Sequence, residues 1–592
     1  MPHTFHIPVL GLGYSIDTPL KVARYGISSV LSIVDDELIE RMREYHSRQM
    51  ELEFLPILKS ATDSRAKRIT AYLNFLAEAI SNQVEQLKRQ AFEVGSDICR
   101  YFELLPEGSS LKNGYELMMD YPEGPQKEMF QQVLRNRIKA GAIDVNIMAK
   151  VDRMNIDAEF NSDENSDALA ALRGFASSKL SSSVILSAGM NPRLYSYLTQ
   201  FEDFFPDKNG YFNKKIVLKV SDFRSALIQA KFLAKKGLWV AEFRIESGLN
   251  CGGHAFATEG YLLGPILEEF KAKRNDMYTE LFALYEPALS QRNVNISFTP
   301  SQRISVQGGI GTAEENQFLI HHYGLDATGW GSPFLLVPEV TNVDDETLNI
   351  LAHSKEEDYY LSHSSPLGIQ FNNFKNSTIE AQRLGRIEKN RPGSACTKKY
   401  LCNNTEFTEQ PICTASREYQ HLKIKQLKSQ ALPANEFQQQ FDAVTEKICL
   451  CEGLCASTYL KYNIVKPKES KAVAICPGPN LAYFSGIYAL DDMVGHIYGR
   501  LNLLGKIERP HIFVKELGLY IDYFQGELQQ LCNHFTDKKK KQLLNFKLQL
   551  SEGISYYKQL FSEIADGADA HLHQLQTQLN ISKNRLDQLQ ID

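Results

Sequence analysis

The chain has 592 residues, of which 43% are hydrophobic and 23% are charged, and its formal net charge is −6. These values exclude a wholly disordered or collagen-like chain. The negative net charge gives no sign of a nucleic-acid-binding surface along the whole chain. The amino-terminal stretch MPHTFHIPVL lacks the basic and apolar regions of a signal peptide, and the long uncharged run at 472–490 contains turn-forming Pro and Gly. We therefore expect a cytoplasmic protein that binds neither nucleic acid nor a membrane.

Short apolar runs alternate with amphipathic helical patterns in the first 340 residues. The runs predict strands at 6–10, 28–34, 143–148, 183–186, 215–220, 238–245, 303–306 and 325–337. Helical patterns lie at 18–26, 167–179, 192–204, 222–236, 261–284 and 312–323. Strands that alternate with helices indicate an α/β fold with a parallel sheet, and eight strands are the number that closes a (β/α)8 TIM barrel. An open doubly wound sheet is the alternative.

Two blocks do not belong to a minimal barrel. Residues 35–140, between the second and third strands, keep a helical apolar spacing, which predicts a helical insertion or lid. The predicted units are the barrel (1–34 and 141–340), the insertion (35–140), a Cys-rich extension (341–480) and a C-terminal helical region (481–592). Apolar stripes at 554–564 and 572–589 can pack on the protein's own barrel, which we favour, or form a seam for a partner or a second copy.

Glycines follow the last two predicted barrel strands. Active sites of such barrels lie at the carboxyl ends of the strands, and phosphate groups often bind the loops after strands seven and eight. Gly308, Gly309 and Gly311 follow strand seven, and Gly331 and Ser332 follow strand eight. Glycines let backbone N–H groups approach a phosphate, and a helix start adds a favourable dipole. The pair of loops favours a phosphate-bearing cofactor.

Three other strand ends supply candidate contacts for the same cofactor. Gly11 and Gly13 follow strand one, where a backbone can pass close to a flat ring. Ser187 follows strand four. Lys219 lies late in strand five, where its ammonium could stabilise negative charge on a reduced ring.

Three charged residues alternate along strand six. Because side chains of a strand point to alternate faces, Glu242, Arg244 and Glu246 all lie on one side. A barrel interior does not hold unpaired charges, so we expect them to pair with each other, with Lys219 or with a ligand.

Two glycines precede a histidine after strand six. Gly252 and Gly253 leave the surface beside His254 open. A histidine in a loop usually has a structural role, but the glycines at the surrounding strand ends favour a functional one here.

Three motifs together resemble the FMN-binding barrel of the nitronate monooxygenase (2-nitropropane dioxygenase) family. They are Gly252–Gly253–His254, the Gly308–Gly309 turn and Gly331–Ser332–Pro333–Phe334, and the likeness covers residues 5–337 apart from the insertion. The enoyl-acyl-carrier-protein reductases of the FMN type share that fold. The resemblance implies that the strand-end glycines and a lysine such as Lys219 bind FMN, and that His254 lies by the flavin ring as acid/base.

The chain also departs from that family. Asn250 stands where the family usually has an acidic residue, and Cys251 replaces an alanine. Neither the insertion nor the long extension belongs to the simple enzymes. The identity of the substrate therefore does not transfer.

Seven of the ten cysteines lie between Cys396 and Cys476. Clustered thiols in the reducing cytosol suggest metal or redox chemistry before disulfides, and four thiolates can hold an iron–sulfur cluster or structural zinc. The spacings match no standard signature, so unligated thiols are the alternative. We predict Cys396, Cys413, Cys451 and Cys476 as ligands, with Cys402, Cys449 and Cys455 as the alternatives. Iron–sulfur ranks ahead of zinc because a flavin gives one-electron transfer a purpose.

The sequence thus predicts an FMN-dependent oxidoreductase that acts on a small-molecule or acyl substrate, with an electron donor as partner. Its reaction is the oxidation of a nitronate-like carbanion by oxygen or the reduction of an activated double bond, and an iron–sulfur cluster would relay electrons. The alternative is a non-catalytic barrel scaffold with a structural zinc module and a helical interaction surface. The oligomeric state is open.

Overall fold

Eight parallel strands form a closed barrel in chain order. The structure, a computed structural model, describes residues 2–147, 151–154, 164–187, 189–250, 259–294, 296–530, 536–564 and 570–591. The barrel strands are β1 (Phe5–Ile7), β2 (Ser28–Ser32), β3 (Ile143–Ile147), β4 (Ser182–Leu186), β5 (Lys214–Val220), β6 (Val240–Glu246), β7 (Arg303–Gln307) and β8 (Ala327–Gly329). The predicted TIM barrel is confirmed, and the doubly wound alternative is wrong because β8 pairs with β1.

The predicted eighth strand, 325–337, is too long. Residues Ser332–Leu336 form a 3-10 helix instead. Pro333 has no N–H to donate to a strand ladder, and its fixed φ suits the first turn of a helix.

Helices surround the barrel and also form the insertion. In chain order the described residues contain α1 (Thr18–Val22), α2 (Asp36–Gln49), α3 (Ser64–Arg89), α4 (Asp97–Glu103), α5 (Ser110–Asp120), α6 (Pro125–Arg137), α7 (Asp167–Ala176), α8 (Pro192–Tyr197), α9 (Phe223–Ala234), α10 (Leu263–Ser290) and α11 (Ala313–Tyr323). Helices α2–α6 lie between β2 and β3, so this block is helical as predicted. The Asp35 carboxylate begins α2 by accepting hydrogen bonds from the N–H groups of Glu37 and Leu38.

The extension is largely helical, as expected. Its helices are α12 (Asp345–Ala352), α13 (Thr378–Glu388), α14 (Arg417–Ser429), α15 (Ala434–Thr445), α16 (Leu450–Lys461), α17 (Leu490–Ile497), α18 (Ile512–Gln530), α19 (Asp537–Ile564) and α20 (Ala570–Gln588). Strands β9 (Tyr359–Ser362) and β10 (Phe371–Phe374) form an antiparallel pair. No described helix is long and apolar enough to span a membrane.

The apolar stripes of α19 and α20 pack on the protein's own chain. Ile554 and Leu560 in α19 are buried, as are Leu575 and Leu579 in α20. The Tyr557 hydroxyl accepts a hydrogen bond from the N–H of Gly264 at the start of α10. One continuous hydrophobic core runs from Phe5 in β1 to Leu586 in α20. The favoured interpretation of the stripes is therefore confirmed for these residues.

The extension also covers the carboxyl ends of the barrel strands. The Asn372 amide donates to the backbone oxygen of Asn250 after β6 (3.0 Å), and the Gly478 N–H donates to the Ser332 hydroxyl after β8 (2.9 Å). Lys398 forms a buried salt bridge with Asp35 after β2. Active sites of TIM barrels lie at this face, so the extension forms part of any site there.

Candidate active site at the carboxyl end of the barrel

The barrel lumen contains a layer of buried charges. The Arg244 guanidinium lies 2.9 Å from Glu242 and 3.4 Å from Asp144, and Arg303 lies 3.5 Å from Glu242. Burial alone would raise the pKa of Glu242, but Arg244 and Arg303 lower it to about 2. Burial raises the pKa of Asp144; Arg244 opposes this rise and repulsion from Glu242 adds to it. The predicted pairing of Glu242 with Arg244 is confirmed.

A second polar layer lies above it, around Glu246. One Glu246 oxygen, Oε1, accepts hydrogen bonds from Lys219 Nζ (3.1 Å), Gln307 Nε2 (2.9 Å) and Asn250 Nδ2 (2.6 Å). The predicted pairing of Glu246 with Lys219 is thus confirmed. Burial lowers the pKa of His6 to about 3, so its ring is neutral at pH 7 and Nε2–H donates to Gln307 Oε1 (3.3 Å).

Several buried polar atoms in this lumen have no hydrogen-bond partner among the described residues. They are Asn146 Oδ1, Asp144 Oδ1 and Arg244 Nη1. A buried polar group without a partner costs free energy. The lumen is therefore suited to ordered water or to the polar atoms of a ligand.

The turn after β7 is built from residues that adopt positive φ. Gly308 has φ +105° and Gly309 has φ +82°, a region where side chains other than glycine are strained. Thr312 then caps α11 by accepting from the N–H of Glu315 (3.1 Å). This local sequence places a glycine turn directly before a helix start.

Backbone donors from the two last strand ends surround one small cavity. The described part of the chain supplies no acceptor for the N–H groups of Gly309, Ile310 and Gly331. The cavity has a volume of about 10 Å³. It is lined by Asn250, Gly308, Gly309, Ile310, Gly329, Gly331, Ser332, Pro333 and Asn480. Unsatisfied N–H groups near a helix start form an anion-binding arrangement.

Two residues of the extension, Asn480 and Arg509, close this cavity from outside. Asn480 Nδ2 donates to the Ile310 oxygen (2.8 Å), and Arg509 Nε donates to Asn480 Oδ1 (2.6 Å). Arg509 also pairs with Glu315 of α11 (2.6 Å). A Cβ on Gly311 would lie 2.4 Å from Arg509 Nε, so Gly311 makes room for that guanidinium. Sequence reasoning missed both residues, because nothing local to them indicates contact with a turn so distant in the chain.

The glycines after β1 have a different neighbour. A Cβ on Gly13 would lie 2.4 Å from Thr458 Oγ1 and 3.0 Å from the Leu454 oxygen, both in α16. A Cβ on Gly11 would lie 3.1 Å from the Tyr14 ring. Helix α16 thus makes the close approach that Gly13 permits, and the cofactor contact at Gly11 and Gly13 stays a prediction.

The remaining predicted site residues have separate positions. The Ser187 hydroxyl, after β4, donates to the Ile147 oxygen (3.2 Å). Cys251, Gly252, Gly253 and His254 lie outside the described residues. The acid/base role of His254 stays a prediction.

The predicted metal site at Cys396, Cys413, Cys451 and Cys476 is not supported. Within the ranges that the structure describes, no group of three or more His, Cys, Asp or Glu side chains could hold a metal ion. Cys396 and Cys413 line a cavity, whereas Cys451 is buried on α16. The Cys455 thiol, one turn further along α16, donates to Asp35 of the barrel (3.3 Å). These thiols therefore have different surroundings: a cavity for Cys396 and Cys413, and the packed interior for Cys451 and Cys455.

No protein-family model and no curated protein sequence matches the chain. Similar solved structures include the enoyl reductase domain of MlnA from the macrolactin biosynthesis cluster of Bacillus amyloliquefaciens (13% identity, 66% of this chain and 91% of that chain, TM-score 0.31). Also similar is a FabK mutant from Thermotoga maritima (10% identity, 65% of this chain and 80% of that chain, TM-score 0.29). A third similar structure is nitroalkane oxidase from Streptomyces ansochromogenes (10% identity, 84% of this chain and 95% of that chain, TM-score 0.33). At such TM-scores the matches carry no argument about this chain's activity.

Proposed function

We propose that this protein is an FMN-dependent oxidoreductase that binds the flavin at the carboxyl end of its barrel. The observation that carries the proposal is the set of backbone N–H groups at Gly309, Ile310 and Gly331, which have no acceptor among the described residues and belong to the lining of one cavity. Phosphate oxygens are strong acceptors, and helix starts such as that of α11 favour them.

The residues present fit a phosphate group in their chemistry. Backbone N–H groups and the Ser332 hydroxyl line the cavity, and the Arg509 guanidinium lies beside Gly311 at its edge. A cavity of about 10 Å³ holds roughly one water molecule. A phosphate therefore enters only if the Asn480 side chain, which lines the cavity, moves aside.

The upper polar layer of the lumen would hold the flavin ring. Its members are Lys219, Glu246, Gln307 and Asn250, which are already ordered by shared hydrogen bonds. When bound, the flavin supplies hydride or single-electron transfer. The Lys219 ammonium provides positive charge at this position, and neutral His6 orients the Gln307 amide. His254 remains our predicted proton donor.

The proposed reaction is either reduction of an activated double bond or oxidation of a nitronate-like carbanion by oxygen. The substrate is a small molecule or an acyl compound, and the reductase version needs an electron donor in the cytosol. An iron–sulfur relay does not enter this proposal, since no described residues support a metal site. Oxygen uptake with a nitronate, compared with loss of an enoyl chromophore under a reduced nicotinamide, separates the two reactions.

The first test is flavin binding by the full chain. We expect the purified protein to carry FMN and, after removal of the flavin, to bind FMN at least about 100-fold more tightly than riboflavin, which lacks the phosphate. Three N–H bonds to a charged group supply at least the ~2.7 kcal/mol that this ratio needs. A colourless protein, or equal affinities for the two flavins, would contradict the proposal.

A matched pair of variants locates the phosphate. Ser332→Asp places a carboxylate at the cavity and should abolish the preference for FMN over riboflavin, because like charges repel in a buried site. Ser485→Asp, at an exposed position of the extension, is the control and should keep the preference.

The alternative of a non-catalytic scaffold rested on a zinc module and a free helical surface. The described cysteines do not form such a module, and the stripes of α19 and α20 are used in packing on the chain itself. No specific observation favours this alternative.

A further inference from the structure

A large cavity lies in the extension, lined by residues 387–441. Its volume is about 960 Å³, which is within the range of small-molecule sites. It lies between the loop that follows α13 and one side of α14, and three cysteines line it: Cys396, Cys402 and Cys413.

Positive charge dominates the lining of this cavity. Arg391, Lys399, Arg417 and Lys428 line it against a single acidic residue, Glu418, so four basic minus one acidic group give a formal charge of +3. None of the four cations forms a salt bridge with a described residue. Since the whole chain is acidic, with a net charge of −6, this local excess favours an anionic ligand.

A nearby arginine strengthens the same field. Arg386 of α13 donates to the hydroxyl of Ser394, which lines the cavity (2.8 Å). Burial lowers the pKa of Arg386, and repulsion from Arg417 adds to this. The Arg386 guanidinium thus adds to the positive charge beside the cavity, although Glu452 partly offsets it.

Two of the thiols are adjacent. Cys396 Sγ and Cys402 Sγ are 3.8 Å apart, and both side chains are half-buried. Cys396 and Lys399 both have positive φ, +54° and +61°, so the chain folds back and returns Cys402 to Cys396. The other described cysteines are buried. Among the three cysteines that line the cavity, Cys396 and Cys402 are the half-buried pair, whereas Cys413 is buried.

We propose that this cavity binds a low-molecular-weight disulfide that carries carboxylates, and that the Cys396–Cys402 dithiol exchanges with it. The cations attract the carboxylates, and the dithiol supplies both the attacking and the resolving sulfur. The site is independent of the proposed flavin site, so a failure to bind flavin leaves this inference untouched.

The exchange balances in atoms and electrons. One protein thiolate attacks a ligand sulfur, a protein–ligand S–S bond forms, the ligand's own S–S bond breaks, and the first ligand thiolate leaves and takes up a proton. The second protein thiolate then attacks the protein sulfur of this mixed disulfide. The Cys396–Cys402 bond forms and the second ligand thiolate leaves. The dithiol loses two electrons, and the ligand gains two and becomes two thiols.

Oxidised glutathione is the anionic probe, and cystamine is the cationic one. With the full chain at pH 8.5 and low salt, we expect oxidised glutathione to form the Cys396–Cys402 bond at least about 10-fold faster than cystamine, and high salt to reduce this ratio by screening. Peptide mass spectrometry identifies the bond by the loss of two hydrogens. Equal rates for the two probes, or the absence of this bond, would overturn the inference.

Single and charge-reversal variants test the two parts of the site. Cys396→Ser and Cys402→Ser should each stop at a mixed disulfide with one glutathionyl group, whereas the unmodified dithiol keeps none. Arg391→Glu combined with Arg417→Glu should slow the reaction with oxidised glutathione at least about 10-fold. Lys425→Glu, exposed on α14 but outside the cavity lining, is the matched control and should keep the rate. An equal slowing in the control would show that the cavity does not select its ligand.

Discussion

The carboxyl ends of β1 and β2 are sealed by the protein's own extension, whereas those of β7 and β8 keep backbone donors for which the described residues supply no acceptor. At the first end, α16 packs on Gly13, and Asp35 pairs with the buried Lys398. At the second end, the N–H groups of Gly309, Ile310 and Gly331 surround a small cavity. Both ends contain glycines or charges typical of cofactor binding.

The difference shows that a glycine at a strand end reports only a close approach. The absence of a Cβ admits any group, and here it admits either a helix of the same chain or, as we propose, a phosphate. The state of the surrounding polar atoms separates the two cases. Where they are paired the end is structural, and where donors remain without acceptors a ligand has a place to bind.

Acid gives the largest expected effect, through a histidine of β1 that bonds β7 across the lumen. The pKa of His6, whose ring bonds Gln307 of β7, falls from 6.5 to about 3 through burial. Between these values the unfolded chain holds a proton that the folded protein does not. Stability is therefore fully present above pH 6.5 and falls by about 5 kcal/mol towards pH 3. Urea unfolding at a series of pH values measures this slope.

A matched pair of histidine variants tests that assignment. His6→Asn keeps a hydrogen-bond donor but does not titrate, so its stability should fall less steeply between pH 6.5 and pH 4. His321→Asn, at an exposed position of α11, should keep the slope of the unmodified protein. Buried His3, with its pKa lowered to about 4, leaves a residual slope in both. Identical slopes for His6→Asn and the unmodified protein would refute the prediction.

Removal of the charge of Asp35 should break the sealed end. Asp35→Asn keeps an oxygen that can cap α2 but leaves the Lys398 ammonium buried without its counterion. We expect a loss of about 3–5 kcal/mol in the free energy of unfolding, with FMN affinity of the folded protein unchanged. The control is Lys466→Met, which removes an exposed ion pair with Glu37 and should cost less than about 1 kcal/mol. A comparable loss of stability in Asp35→Asn and Lys466→Met would show that the buried ion pair of Asp35 with Lys398 has no special role.

Gly13→Ala should test the packing of α16 on β1. Its new Cβ would overlap Thr458 Oγ1 and the Leu454 oxygen, and such overpacking costs about 1–3 kcal/mol. Gly385→Ala is the control, because nothing lies within 4 Å of its Cβ position in α13 and alanine favours a helix. Thermal unfolding should show a lower midpoint for the first variant and an equal or higher one for the second. A stronger effect of Gly13→Ala on flavin affinity than on stability would instead support the predicted cofactor contact at Gly13.

The smallest effect concerns the cap of α11. Thr312→Ala removes the acceptor for the Glu315 N–H and should cost about 1 kcal/mol of stability. It should also weaken FMN binding several-fold, because the capped helix start lies next to the cavity lined by Gly309, Ile310 and Gly331. Ser416→Ala removes the equivalent cap of α14, far along the chain, and should cost similar stability without a change in FMN affinity. Equal FMN affinities in the two variants would show that the start of α11 is not part of the flavin site.

Much of the barrel could be predicted from local patterns. Each of the eight predicted strands overlaps an observed one, because buried parallel strands form apolar runs bounded by turns. The pairing of Glu246 with Lys219 is one of the outcomes that strand alternation and the cost of a buried charge predicted. The limits of β8 were wrong, since the apolar run continues through Pro333 into a 3-10 helix.

The candidate site was predictable only in part. The glycine turn before α11 is a local feature, and the sequence places it correctly after β7. Asn480 and Arg509 could not be found, because their contact with this turn depends on how the extension folds over the barrel. The different surroundings of Cys396 and Cys451 could not be predicted either. Both belong to the same cluster of cysteines in the sequence, but Cys396 lines a cavity and Cys451 is buried on α16.

By itself, the sequence determined the elements: eight strands, an inserted helical block, a helical extension and a glycine turn at a helix start. These depend on periodicity, turn residues and caps, which act within a few residues. Only the tertiary structure decided which strand ends the extension seals and which thiols share a cavity. Those outcomes depend on contacts between segments hundreds of residues apart, and the packing of whole helices sets them, not any local pattern.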